Sequence, residues 1–574
     1  MKTSIICTAL LAATIAGTSA QTYNALWIPP TLSGTNFYLS LNQTNKQFFP
    51  GLTTPTFAYN TGNVWGPTLI MNKGDTVQIY LTNNLNQTTT THWHGFHIPG
   101  IMDGGPHEII PSGSTWTPTF TILNNASTYW YHPHLHPQTQ SQLSYGAGGM
   151  IIIQDPQESA LALPRTYGVD DLPLALTSRR FTTNGSTALF VTNNCAYGDF
   201  QLANGTVNAQ VTLPQQYVRL RILNAEIERA YNLGFSDNRT FFVIATDGGL
   251  VNTPLPVTRV VLAVGERVQI LVNLGTNAVG SSLNLMAYNS NASLGGAGPN
   301  GLQHGFPGGE PATTGMFGSL LNNANYNLLN IKVGAATTNA ITQLPAVLTT
   351  NSLWAAKDVT NSRTIQITGG TPPNGVFTFD NTAFSLNVIN HTLNLNAVEQ
   401  WTIINNSPFS HSFHIHDIQF NLVSRTSPAG GLNSYESAGW KDTLYTQQNS
   451  TNVFITKFDT FASYYNPFMY HCHFSDHEDQ GTMGQFLVVN NAVEDLAVAS
   501  FTRLGTNGNV TLQFKATPGT TYKLQYSRNM DSSSWADVGY VTSNGTSANF
   551  VDTDPTRLAQ PRGFYRVAIP VNSY

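Results

Sequence analysis

The sequence predicts an all-β protein, with three similar β-domains in series followed by a small β-sandwich. Three observations carry that expectation. Only 10% of residues are charged, while glycine (48) and proline (30) are abundant, so the chain is poor in the Glu, Lys, Leu and Ala of amphipathic helices. An alternating run ending in asparagine occurs three times, as VQIYLTN to Asn83, VRLRILN to Asn224 and EQWTIIN to Asn405. A second run follows each of them: STWTPTFTI (114–122), GERVQILVNL (265–274) and STNVFITKF (450–458).

The elements take their bounds from these echoes. Residues 1–20, MKTSIICTALLAATIAGTSA, pair Lys2 with an apolar run and small residues, the pattern of a secretory signal peptide cleaved after Ala20. The mature protein is therefore expected to be secreted or periplasmic. That apolar run is shorter than the ~18 residues of a membrane span, and no later stretch reaches that length. The repeats place β-domains at 21–160, 161–335 and 336–492, with the glycine-rich stretch 292–315 a long loop inside the second. From 493 to 574 the strands shorten; Val510, Leu512 and Phe514 share a face, as do Tyr522, Leu524 and Tyr526. This last stretch is expected to be a separate small β-sandwich, a spacer or a module for glycan or surface contact. A formal charge of −5 with no basic patch argues against a nucleic-acid partner.

Chemistry concentrates in the histidines. Ten of 15 fall in four clusters: HWH (92, 94), HPH (132, 134), HSFHIH (411, 414, 416) and HCHFSDH (471, 473, 477). Random placement would give roughly 0.4 His-x-His pairs, against five here. On a strand, residues i and i+2 face the same way, about 7 Å apart, so each pair offers two imidazoles to one side. Four such pairs exceed the four ligands of one zinc and fit three metals with room for a small molecule. In HCH the alternation sends Cys472 to the opposite face from His471 and His473. With Cys7 in the leader, Cys195 and Cys472 could form at most one disulfide. The flanking histidines favour a metal thiolate instead, because one Cys with two His is the trigonal set of a blue copper site.

The motifs GPTLIMNKGDTVQIYLTNNL…HWHG, YWYHPHLH, GWKDTLY and HCHFSDHED, in this order over roughly residues 25–490, resemble those of three-domain multicopper oxidases of the laccase, bilirubin oxidase and cuprous oxidase group. The resemblance implies three cupredoxin-like Greek-key domains and four copper ions. It places type 1 copper on His411, Cys472 and His477, and type 2 copper on His92 and His414. The type 3 pair falls to His94, His132, His134, His416, His471 and His473. The family commonly reads HEDxGMMGQF where this chain reads HEDQGTMGQF, so Thr482 stands in the axial place and is expected to raise the type 1 potential.

Reducing O₂ to water takes four electrons and four protons, and Glu478 and Asp103 match acids that relatives use to relay protons. Asp103 could equally be a turn-forming Asp-Gly, and Glu478 a solvated charge or a clamp on a neighbouring loop. His97, His107 and His136 read as supports or rim, His304 and His391 as plain surface, and Asp417 and Asp442 as groups orienting the type 1 site. The stretch before HSFHIH carries Ser407 and Phe409 where cuprous oxidases of the family carry an acid and Met, and the nine Met are scattered. The expected donor is thus a phenol or aromatic amine, giving electrons through an exposed histidine edge, with O₂ as acceptor. A cuprous or other metal-ion oxidase in copper tolerance is the second expectation. A secreted copper-binding or adhesion protein is the third.

Overall fold

A computed structural model describes residues 22–184, 186–190, 197–290, 318–370, 376–427, 431–489, 498–503, 508–516, 518–528, 535–560 and 563–568. The expected leader, Cys195, His304 and the glycine-rich stretch lie outside these residues. The described chain is mostly strand, folded into eight sheets that follow one another in pairs. The first pair encloses Leu39, Ile79, Trp93 and Tyr131, the second Leu174, Leu220 and Ile270, and the third Ile365, Trp401 and Phe413. Among the described residues no helix is long and apolar enough to cross a membrane.

The three asparagine runs are strands at equivalent places: Thr76–Asn83, Tyr217–Asn224 and Val398–Asn405. Each pairs antiparallel with the echo that follows it. The terminal asparagine is fully buried in all three, and its amide explains why. Its Oδ1 accepts from the N–H two residues on (Leu85, Glu226, Ser407), and its Nδ2 donates to backbone carbonyls further along the chain (Ile110, Leu262, Phe409). A buried side chain that satisfies a turn on both sides stops the strand at a fixed place.

Sheet membership follows chain order except in two places. Asn24–Ala25 pairs with Ala209–Pro214 of the second sheet pair, and the hairpin Phe181–Asn184/Thr187–Phe190 joins Leu52–Tyr59 of the first. The C-terminal strands form two three-stranded sheets. Their Phe514, Ala516 and Tyr522 pack on Leu487 and Val489 of Met483–Val489, a strand of the third sheet pair.

Candidate metal centre

The first and third sheet pairs carry the histidine motifs on neighbouring strands. His92–His94 pairs with Ser127–His132, setting His92 opposite His132. His411–Ile415 pairs with Phe468–Cys472, setting His414 opposite His471. Where the two sheet pairs meet, the rings interleave, His92 stacked on His416 at 3.9 Å and His94 on His414 at 3.8 Å. All eight imidazoles are buried.

The nitrogen geometry decides what this site can hold. His134, His416 and His471 bring their Nε2 atoms within 3.1–3.2 Å of one another. Their Nδ1 atoms face outward, to Glu478, to Asp103 Oδ2 at 2.6 Å and to the Cys472 carbonyl at 3.1 Å. The Nε2 atoms therefore present lone pairs to each other, an arrangement that a cation in their midst makes favourable. His94 Nδ1 and His473 Nε2 meet at 3.2 Å in the same way, with His132 completing the trio. Nε2 of His92, His132 and His414 has no hydrogen-bond partner. Burial, with neighbouring histidines, lowers the pKa of His92, His132, His414, His416 and His473 well below the ordinary value, and brings His134 to about 4. The site thus offers neutral imidazoles, the form that binds metal.

A second group lies on the other face of the HCH segment. Cys472 Sγ is 3.4 Å from His411 Nδ1 and 3.6 Å from His477 Nδ1, and those two nitrogens are 3.2 Å apart. Cys472 is buried and free, and burial pushes its thiol pKa up, so a bound cation is what would make it a thiolate. One thiolate and two imidazoles at this spacing suit copper.

Comparison with known proteins agrees with this geometry. Models of the multicopper oxidase family match residues 41–158, 130–294 and 357–492. The chain belongs to the multicopper oxidase family. The multicopper oxidase mco of Staphylococcus haemolyticus is 30% identical over 460 residues, 79% of this chain and 89% of that protein. The cell division protein FtsP of Xenorhabdus nematophila is 28% identical, covering 81% of this chain and 92% of its own. A solved laccase-like multicopper oxidase, CueO from Ochrobactrum sp., is 27% identical with a TM-score of 0.70, covering 81% of this chain and 100% of that one. As a multicopper oxidase the protein is an all-β copper enzyme, an oxidoreductase with O₂ as acceptor.

Around this oxidase site the acids stand close. Glu478 touches His134 Nδ1 at 3.1 Å and His471 Nδ1 at 3.3 Å and accepts from the Thr139 hydroxyl at 2.7 Å. Burial works against its charge, but His134 and His471 outweigh that and hold its pKa below the usual carboxylate range. Asp103 sits at a turn and beside the histidines at once. The turn at Gly104 (φ +76°) leaves no room for a Cβ against the Thr91 carbonyl, and the Asp103 carboxylate reaches His416. Burial, with Glu108 and Asp417, raises its pKa well above the ordinary value.

Several expectations are corrected. The histidine edge at the cysteine trio is covered, since His411 and His477 are 0% and 2% exposed. Ser407 Oγ lies 2.7 Å from His411 Nε2, and the Phe377 ring lies against both imidazoles. Asp442 lies at the eight-histidine site, its Oδ1 3.2 Å from His94 Nε2, because Thr443–Thr446 pairs with the strand of His411 in a register that sets Thr443 beside His414. Asp417 instead binds His97, whose other nitrogen meets Asp459. Burial lowers the His97 pKa, but the two acids raise it to about 10. His391 is no surface residue: its ring packs against Trp401 and Tyr470, and burial, with Arg363, lowers it to about 4. His107 is buried on Gln485 at 2.7 Å, and His136 lies against Phe384. Sequence reading missed Trp130, stacked on His132 at 4.0 Å, and Arg267, which pairs with Asp442. Trp130 announces itself in the YWYHPH motif; Arg267 carries no local mark.

Proposed function

We propose that this oxidase is laccase-like, taking single electrons from phenols or aromatic amines and reducing O₂ to water. Four donors each lose one electron and one proton, and one O₂ takes up all four of each. The carrying observation is the position of Cys472, in one trio with His411 and His477 while its chain neighbours His471 and His473 belong to two other trios. Type 1 copper is assigned to His411, Cys472 and His477. Type 2 copper takes His92 and His414. One type 3 copper takes His94, His132 and His473, the other His134, His416 and His471. Copper bound there supplies the one-electron couple and the place where O₂ is reduced. Asp103, against Nδ1 of His416, holds a proton for delivery into that space, and Glu478, ionised against Nδ1 of His134 and His471, takes up protons and passes them on. The buried rings exclude bulk water from it.

The surroundings of the type 1 group support an organic donor. Phe377 and Phe474 lie against its imidazoles, Phe409 packs on Phe377, and Ser407 meets His411. Soft Cu(I) prefers thioethers, whereas an aromatic cover is one on which a phenol ring can stack. An electron then crosses this cover to His411 by outer-sphere transfer, without a covalent intermediate. Residues 1–20 support export, so we assign the protein outside the cytoplasm. Oxygen uptake by copper-loaded protein with a dimethoxyphenol, beside the same assay with Cu(I), tests the reading. Strong uptake with phenol and weak uptake with Cu(I) is expected; the reverse would make it a metal-ion oxidase. A chain ending at 492 is expected to turn over phenol at an undiminished rate per copper-loaded molecule, and its inactivity would place the chemistry's dependence in the C-terminal sheets.

A further inference from the structure

The second sheet pair supplies no histidine to the site, yet it forms part of its wall. At Gly265 (φ +85°) a Cβ would sit 2.9 Å from the His473 ring, and the Val264 carbonyl accepts from the Ser412 hydroxyl. From the strand Arg267–Asn273, Arg267 reaches across to Asp442 with both arms, Nη1 to Oδ1 at 2.7 Å and Nη2 to Oδ2 at 2.5 Å. Its remaining N–H groups go to the carbonyls of Thr128, Gly265 and Asp247. The guanidinium is thus fully used and fixed. Arg267 and Asp442 are both fully buried. Gly95, the glycine of HWHG (φ +85°), leaves the room they occupy, since a Cβ there would collide with Asp442 Oδ2 and Arg267 Nη2.

The pair acts on one ligand whose orientation differs from the others. In His92, His132, His134, His414, His416 and His471 the outer nitrogen is Nδ1, held by a carbonyl or a carboxylate. In His94 the ring is reversed, with Nε2 on Asp442 Oδ1 at 3.2 Å and Nδ1 turned inward to His473. We propose that the Arg267–Asp442 pair is a positioning device that fixes His94 with Nδ1 toward the cluster, so that copper retention there is governed from the second sheet pair. The proposal rests on the assignment of the eight histidines to a copper cluster. A partner that orients a ligand's far nitrogen is worth about 10- to 100-fold in metal affinity.

The test uses full-length, copper-loaded protein and three variants. Arg267→Met leaves Asp442 unpaired. Arg267→Met/Asp442→Leu removes both charges, so that no ion is stranded in the interior. Arg219→Lys perturbs another buried pair, Arg219–Glu158, which touches no histidine. Copper per chain after dialysis against a chelator, the blue absorption and the magnetic coupling of the copper pair are measured together. The double variant is expected to fold and keep its blue absorption, to hold cluster copper about 10- to 100-fold more weakly, and to lose the coupling. Arg267→Met is expected to lose cluster copper likewise, and Arg219→Lys to keep all three signals. Wild-type cluster copper in the double variant would overturn the proposal, as would loss of blue and cluster copper in equal proportion. Wild-type protein that holds only the blue copper would overturn the cluster assignment, and the proposal with it.

Discussion

The two histidine sites lie on opposite faces of one short segment and are built by opposite means. The eight-histidine site joins parts of the chain as far apart as 379 residues, and its outer nitrogens rest on carboxylates and carbonyls. The cysteine site draws its three residues from within 66 positions of one sheet pair, and aromatic rings surround it. The first is an electrostatic device whose geometry depends on an interface. The second is a local apolar pocket, where small changes in packing or polarity set the redox couple.

Three variants would break or sharpen that contrast. Cys472→Ser is expected to have the largest effect, removing the blue absorption and dropping phenol-driven oxygen uptake to background while cluster copper is retained. Loss of cluster copper as well would show that the sites are not independently built. Glu478→Gln is expected to slow O₂ reduction about 100-fold, the range for a lost proton-transfer group, with the blue absorption unchanged. Reoxidation of the blue band after a single reduction reports this, and a wild-type rate would refute the role. Thr482→Met is expected to have the smallest effect, lowering the type 1 potential by roughly 60 mV, a tenfold shift for one electron. Wild-type Thr482 gives its hydroxyl to the Phe377 carbonyl at 3.0 Å, a bond that methionine cannot make. A redox titration giving an unchanged or higher potential in the variant would sink the idea.

What the sequence made legible is what strand periodicity encodes. The His-x-His spacing and the splitting of Cys472 from its neighbours follow from alternation alone, and the three asparagine-ended runs mark the repeat. What stayed hidden depends on residues distant in the chain. Phe377 covers the His411 and His477 imidazoles from a strand 34 positions before His411, and nothing in FTF signals that. Arg267 meets Asp442 across 175 residues. Asp442 falls at the eight-histidine site because the pairing register of Thr443–Thr446 sets Thr443 beside His414, and a register between distant strands leaves no local mark. The pairing of Asn24–Ala25 with Ala209–Pro214 was likewise invisible, since two residues carry no period.

The interface that builds the eight-histidine site also sets an order of events in making the protein. Half of its rings come from His92–His134 and half from His414–His473, so no nascent or truncated chain lacking the later strands can present more than half of them. Pairings this distant in sequence form late and slowly. Because metal bound only to the finished fold contributes its binding energy to that fold, copper serves here as a clasp on the completed chain. Uptake of the full complement of copper then amounts to proofreading: it certifies that the first and third sheet pairs have found each other.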